Sequence, residues 1–168
     1  MLKPHVTKVT KLALSISLLV ASSMAAATGT TTLTVNAKIA AGCKVSTAPA
    51  LLDFGTIDPN SAVNAVATQT FAMKCSNGTT STATTDDNGL NFASATKNMK
   101  HSVTATALLP YALAYTNDTG FVGAGFSNAA ASRVITITGT ITPAQFSGAL
   151  ATTGAQVYAD TVVISVNP

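Results

Sequence analysis

Thr30-Thr31-Thr32-Leu33-Thr34-Val35-Asn36-Ala37-Lys38-Ile39 carries an alternation that decides how the chain is read. Leu33, Val35, Ala37 and Ile39 fall on one side of an extended chain. Thr32, Thr34, Asn36 and Lys38 fall on the other. A period of two marks a strand buried on one face. The stretch follows a segment with the marks of an export signal and precedes the first cysteine. Export would leave it as a free N-terminal arm. The far end, Tyr158 to Val166, also reads as a strand, with Val162, Ile164 and Val166 inward. Two such ends suggest that the arm adds to the sheet of another copy. The alternative is that it forms the first strand of its own sheet.

Residues 1–25 have the three parts of a secretory signal peptide. Lys3, His5, Lys8 and Lys11 form a basic start, Leu12 to Val20 an apolar run, and small residues follow to Ala27. Cleavage after Ala25 or as late as Ala27 fits the small-x-small rule. The apolar run is too short for a stable bilayer anchor, so the mature chain is expected to hold no integral membrane segment. Residues 28–41 are then the arm and 42–168 a single domain. The expected route is export to the periplasm and onward to the cell surface.

The full chain has nine basic and six acidic residues. Losing Lys3, Lys8 and Lys11 leaves Lys38, Lys44, Lys74, Lys97, Lys100 and Arg133 against six aspartates. The mature chain is therefore formally neutral. No basic patch argues for nucleic acid, and low charge suits a protein meant to associate. Ala, Thr, Val, Gly and Ser dominate, which favours an all-β fold. Cys43 and Cys75 in an exported chain are expected to form one disulfide. Two isolated cysteines without a nearby histidine make a poorer metal site.

Gly42-Cys43-Lys44-Val45 opens the domain. Leu51 to Ile57, bracketed by Pro49 and Pro59, reads as an edge strand that breaks and switches sheets. Thr68 to Cys75 is a strand with Phe71, Met73 and Cys75 on one face, so the disulfide should sit inside. Asn77-Gly78 and Asp86-Asp87-Asn88-Gly89 are turn signals. Leu90 and Phe92 alternate in a short strand, and Ala93 to Thr104 is a loop or weak hairpin. Leu109, Tyr111, Leu113 and Tyr115 share one face of the next strand; Ile135, Ile137 and Ile141 share one face of another. Pro143 to Gln156 is a long connection. About six core strands separated by turns form an antiparallel β-sandwich of immunoglobulin type.

No nucleophile–base set emerges, and no cofactor is indicated. His101 reads as a solvated loop residue beside Lys100. The aspartates of 86–89 lack the further ligands of a calcium loop.

The order of motifs resembles the spore coat protein U domain family, which includes pilin subunits of the archaic (Csu-type) chaperone–usher pathway. The resemblance rests on the alternating arm, Gly42-Cys43, Leu52-Asp53-Phe54-Gly55-Thr56-Ile57, Phe71 to Cys75, and the terminal Tyr158-x-Asp160-x-Val162. It implies an immunoglobulin-like sandwich lacking its last strand, and a Cys43–Cys75 disulfide. A periplasmic pilus chaperone lends a strand to the groove; at the outer-membrane usher the next subunit's arm replaces it. On this chain Leu33, Val35, Ala37 and Ile39 would be the donor residues. Val162, Ile164 and Val166 would bound the acceptor groove. The implied function is a structural pilus subunit supporting adhesion and biofilm formation, with neighbouring copies or related pilins as partners. The chain ends Val166-Asn167-Pro168, where many relatives end on an aromatic or apolar residue. A secreted coat or matrix protein that folds alone is the other reading.

Overall fold

In Ala65-Val66-Ala67-Thr68-Gln69-Thr70-Phe71-Ala72-Met73-Lys74-Cys75, every second side chain from Ala67 turns inward or partly inward. β-Branched and aromatic residues suit such a half-buried pleated surface. The computed structural model describes residues 29–127 and 132–168, and the chain divides into two units, 1–37 and 38–168. The expected signal peptide lies outside the described residues. In the smaller unit, residues 29–37 are exposed and form no assigned strand.

The larger unit is all-β apart from one helical turn. Its strands are β1 (Cys43–Thr47), β2 (Ala65–Cys75), β3 (Thr85–Asp86), β4 (Lys97–His101), β5 (Leu108–Thr116), β6 (Arg133–Ile141), β7 (Tyr158–Ala159) and β8 (Ile164–Ser165). The short helix α1 (Pro143–Phe146) follows β6 and buries Phe146. Proline at its start loses no needed donor, and Thr142 and Gln145 close a capping box. The long connection 143–156 therefore contains this turn of helix.

A curled antiparallel sheet has the order β1-β2-β6-β5-β4-β7, and β3 and β8 form a separate two-stranded ribbon. The arrangement is β-sandwich-like. The inner face of the large sheet carries two clusters. Phe71, Met73, Ile135 and Ile137 form one, with Leu52, Leu113, Tyr115, Phe121, Ile164 and Val166 packed on it. Leu109, Tyr111, Ile141 and Phe146 form the other, covered in part by Phe54, Ile57, Met99, Tyr158 and Val162. Burying each large apolar side chain contributes roughly 1.5–3 kcal/mol. Gly139 of β6 lies beneath the stretch 52–54. A Cβ there would sit 2.7 Å from Phe54 Cζ and 2.8 Å from Leu52 Cδ2.

Several local readings are corrected. Leu51 to Ile57 runs over the core without an assigned strand. Leu90 and Phe92 are exposed beside a turn, because backbone bonds tie this segment to the terminal one. Tyr158 to Val166 is two short strands in different sheets. His101 is a buried strand residue, 2% exposed, packed edge-on against Tyr158.

Candidate functional site

The terminal segment supplies the feature that singles out one part of this fold. Residues 157–159 border β4, with Ser102 N–H donating to Val157 O at 2.9 Å. The segment then crosses to β3, where Thr85 faces Ser165 and Asp86 faces Ile164. The amides of Leu90, Asp87 and Thr82 donate to the carbonyls of Thr161, Val163 and Asn167. Backbone groups alternate sides along an antiparallel strand. Those of 161, 163, 165 and 167 are turned to the β3 side, so those of 162, 164 and 166 are turned away from it. Among the described residues, 162 and 166 have no backbone–backbone bond, and the ladder neighbour of Ile164 is Asp86.

The stretch 50–57 is similarly unladdered. Its bonds are local or to side chains: Gln69 Nε2 donates to Leu51 O at 3.2 Å, and Gly55 N–H to Asp53 Oδ1 at 2.8 Å. Gly55 adopts φ +65°, which shifts the inward phase from Leu52 and Phe54 to Ile57. Leu52 shares a cluster with Ile164 and Val166; Phe54 and Ile57 share the other with Val162. The two segments thus run in opposite directions over one core, each with unpaired backbone. The three residues expected at the acceptor edge all lie on this terminal segment, half-buried and facing the core.

Of the expected donor residues, Leu33, Val35 and Ile39 are 85%, 80% and 92% exposed, and Ala37 is exposed too. Large apolar side chains this bare in succession are unusual for a soluble surface. Cys43 and Cys75 are joined by a disulfide and stand directly opposite one another in the β1–β2 ladder. Cys75 is fully buried.

A polar network beneath the ribbon escaped the sequence reading. Tyr111 donates its hydroxyl to Asp160 Oδ2 at 2.7 Å, and Tyr115 to Asp86 Oδ2 at 2.8 Å. Asp160 Oδ1 also accepts from the backbone N–H and side-chain amide of Asn91. Lys97 Nζ lies 2.6 Å from Asp86 Oδ1 and donates to Asn88 Oδ1 at 3.0 Å. Burial works against the Asp86 charge, but hydrogen bonds from Lys97, Tyr115 and the Asn88 amide hold its carboxyl below the usual carboxylate range. Amide donors from Val163 and Gly89 likewise hold Asp87 low. Burial, then the adjoining carboxylate, pushes both tyrosine hydroxyls well up, so they remain donors. The available signal was a pair of tyrosines on an inward strand face, since a buried hydroxyl needs a partner. His101 Nδ1 accepts the amides of Val103 and Thr104 at 3.2 and 3.0 Å.

Among the described residues no cluster of three or more His, Cys, Asp or Glu could hold a metal, and no helix is long and apolar enough to cross a membrane. Fold and site define a disulfide-stapled, all-β structural domain with unladdered backbone over its core. The chain belongs to the Spore Coat Protein U domain family, whose model matches residues 29–165. This is a family of pilus- and coat-type structural proteins at the cell exterior, and not one known for enzymes. Comparison with curated proteins gives no match.

Proposed function

We propose that the chain is a structural subunit of a surface pilus, polymerised by donor-strand exchange after chaperone–usher export. The observation that carries this reading is the unladdered stretch 50–57 beside a terminal segment, 160–166, that pairs with β3 along one side only, both over a shared core. An added strand between them would satisfy both edges, as in strand-addition complexes. The exposed row Leu33, Val35, Ala37 and Ile39 is the segment that fits: its sequence alternates and is apolar on one side. Residues 1–25 act as the signal, 28–41 as the arm and 42–168 as the accepting domain. A periplasmic chaperone would guard the unpaired edge, a recognised aggregation hazard, and an outer-membrane usher would exchange it for the arm of a neighbouring or related subunit. The assembled fibre supports adhesion and biofilm formation.

A secreted coat protein that folds by itself is the second reading. It draws on the burial of both clusters by residues of the larger unit, with Phe71 and Met73 at 2% and 1% exposure. Expression of the mature chain with and without residues 28–40, in a periplasm lacking the cognate chaperone, separates the two. The pilus reading expects SDS-resistant oligomers from the whole chain, and an unstable truncated form rescued by added arm peptide. A truncated form as stable as the whole chain, both monomeric, would favour the coat reading.

A further inference from the structure

We infer that Tyr111 and Tyr115 are positioning residues for the accepting edge, an inference that rests on the donor-strand reading above. A two-stranded ribbon is marginal by itself in water, and β3 and β8 pair over only two residues each. Apolar contacts from Val162, Ile164 and Val166 press the terminal segment onto the core, but such contact is non-directional. Direction comes from two phenol–carboxylate bonds. Tyr111 and Tyr115 lie four residues apart on the inward face of β5. Tyr115 grips Asp86 on β3; Tyr111 grips Asp160, at the point where the terminal segment leaves β4 for β3. One foot therefore stands under β3 and the other under the segment that leads into β8. The bonds are 2.8 and 2.7 Å long, in the ordinary range for a hydroxyl donating to an oxygen.

Both feet are braced. Asp86 is held from β4 by Lys97, and Asp160 from the 89–91 turn by Asn91. Asp87, beside Asp86, uses Oδ1 to accept the Val163 amide at 2.9 Å, locking the ribbon's two strands to each other. The carboxylates thus set the ribbon's height over β5, and its register is fixed with it. An edge held at one height and register presents its free backbone groups ready for an incoming strand, which lowers the ordering cost of capture.

The test is amide hydrogen exchange on the full chain and its Tyr111→Phe/Tyr115→Phe variant. Phenylalanine keeps the apolar volume and removes only the feet. Hydrogen bonds to charged groups are among the stronger ones, so exchange at Thr82, Asp87 and Leu90, whose amides donate to the terminal segment, should rise roughly ten- to a hundredfold. The amides of β2 and β6 should hold their rates, and SDS-resistant oligomers should form more slowly. Unchanged exchange at those three amides, or an equal rise throughout the sheet, overturns the inference. Equal assembly rates for both chains overturn it as well. A wild-type chain that makes no such oligomer refutes the donor-strand reading itself, whatever the exchange data show. Should the double variant fail to fold, Tyr115→Phe alone leaves Asp86 with Lys97 and the Asn88 amide, and carries the same comparison.

Discussion

Reducing the Cys43–Cys75 bond should weaken the domain mainly through its unfolded state. The cysteines are separated by 32 positions and face each other in an antiparallel ladder. The ladder holds them together in the fold with or without the bond, so few native contacts are lost on reduction. The denatured chain, by contrast, gains the freedom of an open loop. On the loop-closure model a loop of this length is worth roughly 3–4 kcal/mol. For a domain of this size that corresponds to a fall in Tm on the order of 10 °C. The assay is paired urea and thermal unfolding of oxidised protein and of the Cys43→Ala/Cys75→Ala variant, followed by circular dichroism. We expect a lower midpoint for the variant and a somewhat steeper denaturant dependence, because its unfolded state is less compact. Coincident midpoints would refute the loop-entropy argument. A variant without a cooperative transition would show that the bond also holds native packing around the buried Cys75.

Three further outcomes follow from the geometry. Ile164→Ala, which trims a half-buried side chain on the first cluster, should cost about 1–2 kcal/mol in denaturant unfolding, whereas Val163→Ala, at 60% exposure, should change stability by no more than about 0.5 kcal/mol. The folded carboxyl of Asp86 lies below its ordinary 3.8, so its stabilising effect is present in full above that pH and is lost as pH falls through the lower folded value. A titration of stability below pH 4 should show this loss, and Asp86→Asn should flatten it. His101→Leu would leave the Val103 and Thr104 amides without their acceptor and should destabilise by roughly 1–3 kcal/mol in the same unfolding assay.

What could be read in advance divides along physical lines. β2, β5 and β6 were legible because their inward faces, such as Ile135-x-Ile137 and Leu109-x-Tyr111-x-Leu113-x-Tyr115, repeat with period two over a buried sheet. The disulfide was legible from cysteine number and the expected export. The inward set Val162, Ile164 and Val166 was legible too, but not the break that divides its strand. Which sheet a strand joins depends on distant backbone partners, here β4 for Tyr158 and β3 for Ile164, and side-chain alternation is blind to that choice. The same applies to Leu90 and Phe92, whose alternation is real but whose backbone is held at a turn by the terminal segment. His101 looked solvated beside Lys100; the strand pairing of β4 with β7 turns it inward against Tyr158. The half-buried Asp86 looked like a turn residue and Asp160 like part of one continuous strand, since only the folded chain brings Tyr115 and Tyr111 to them.

The most direct test of strand exchange asks whose edge the arm occupies. Two pools of mature chain are prepared, one with a single added cysteine at position 33, 35, 37 or 39, the other with Ile164→Cys. They are mixed before assembly and oxidised afterwards. Neighbouring strands place facing residues within disulfide reach, so the account predicts a bond between chains of different pools for at least one arm position, with Leu33 to Ile39 lying along the partner's terminal strand. A separate chain carrying both an arm cysteine and Ile164→Cys serves as the control; a bond that forms within that chain, and never between the two pools, would contradict the account and place the arm in its own sheet.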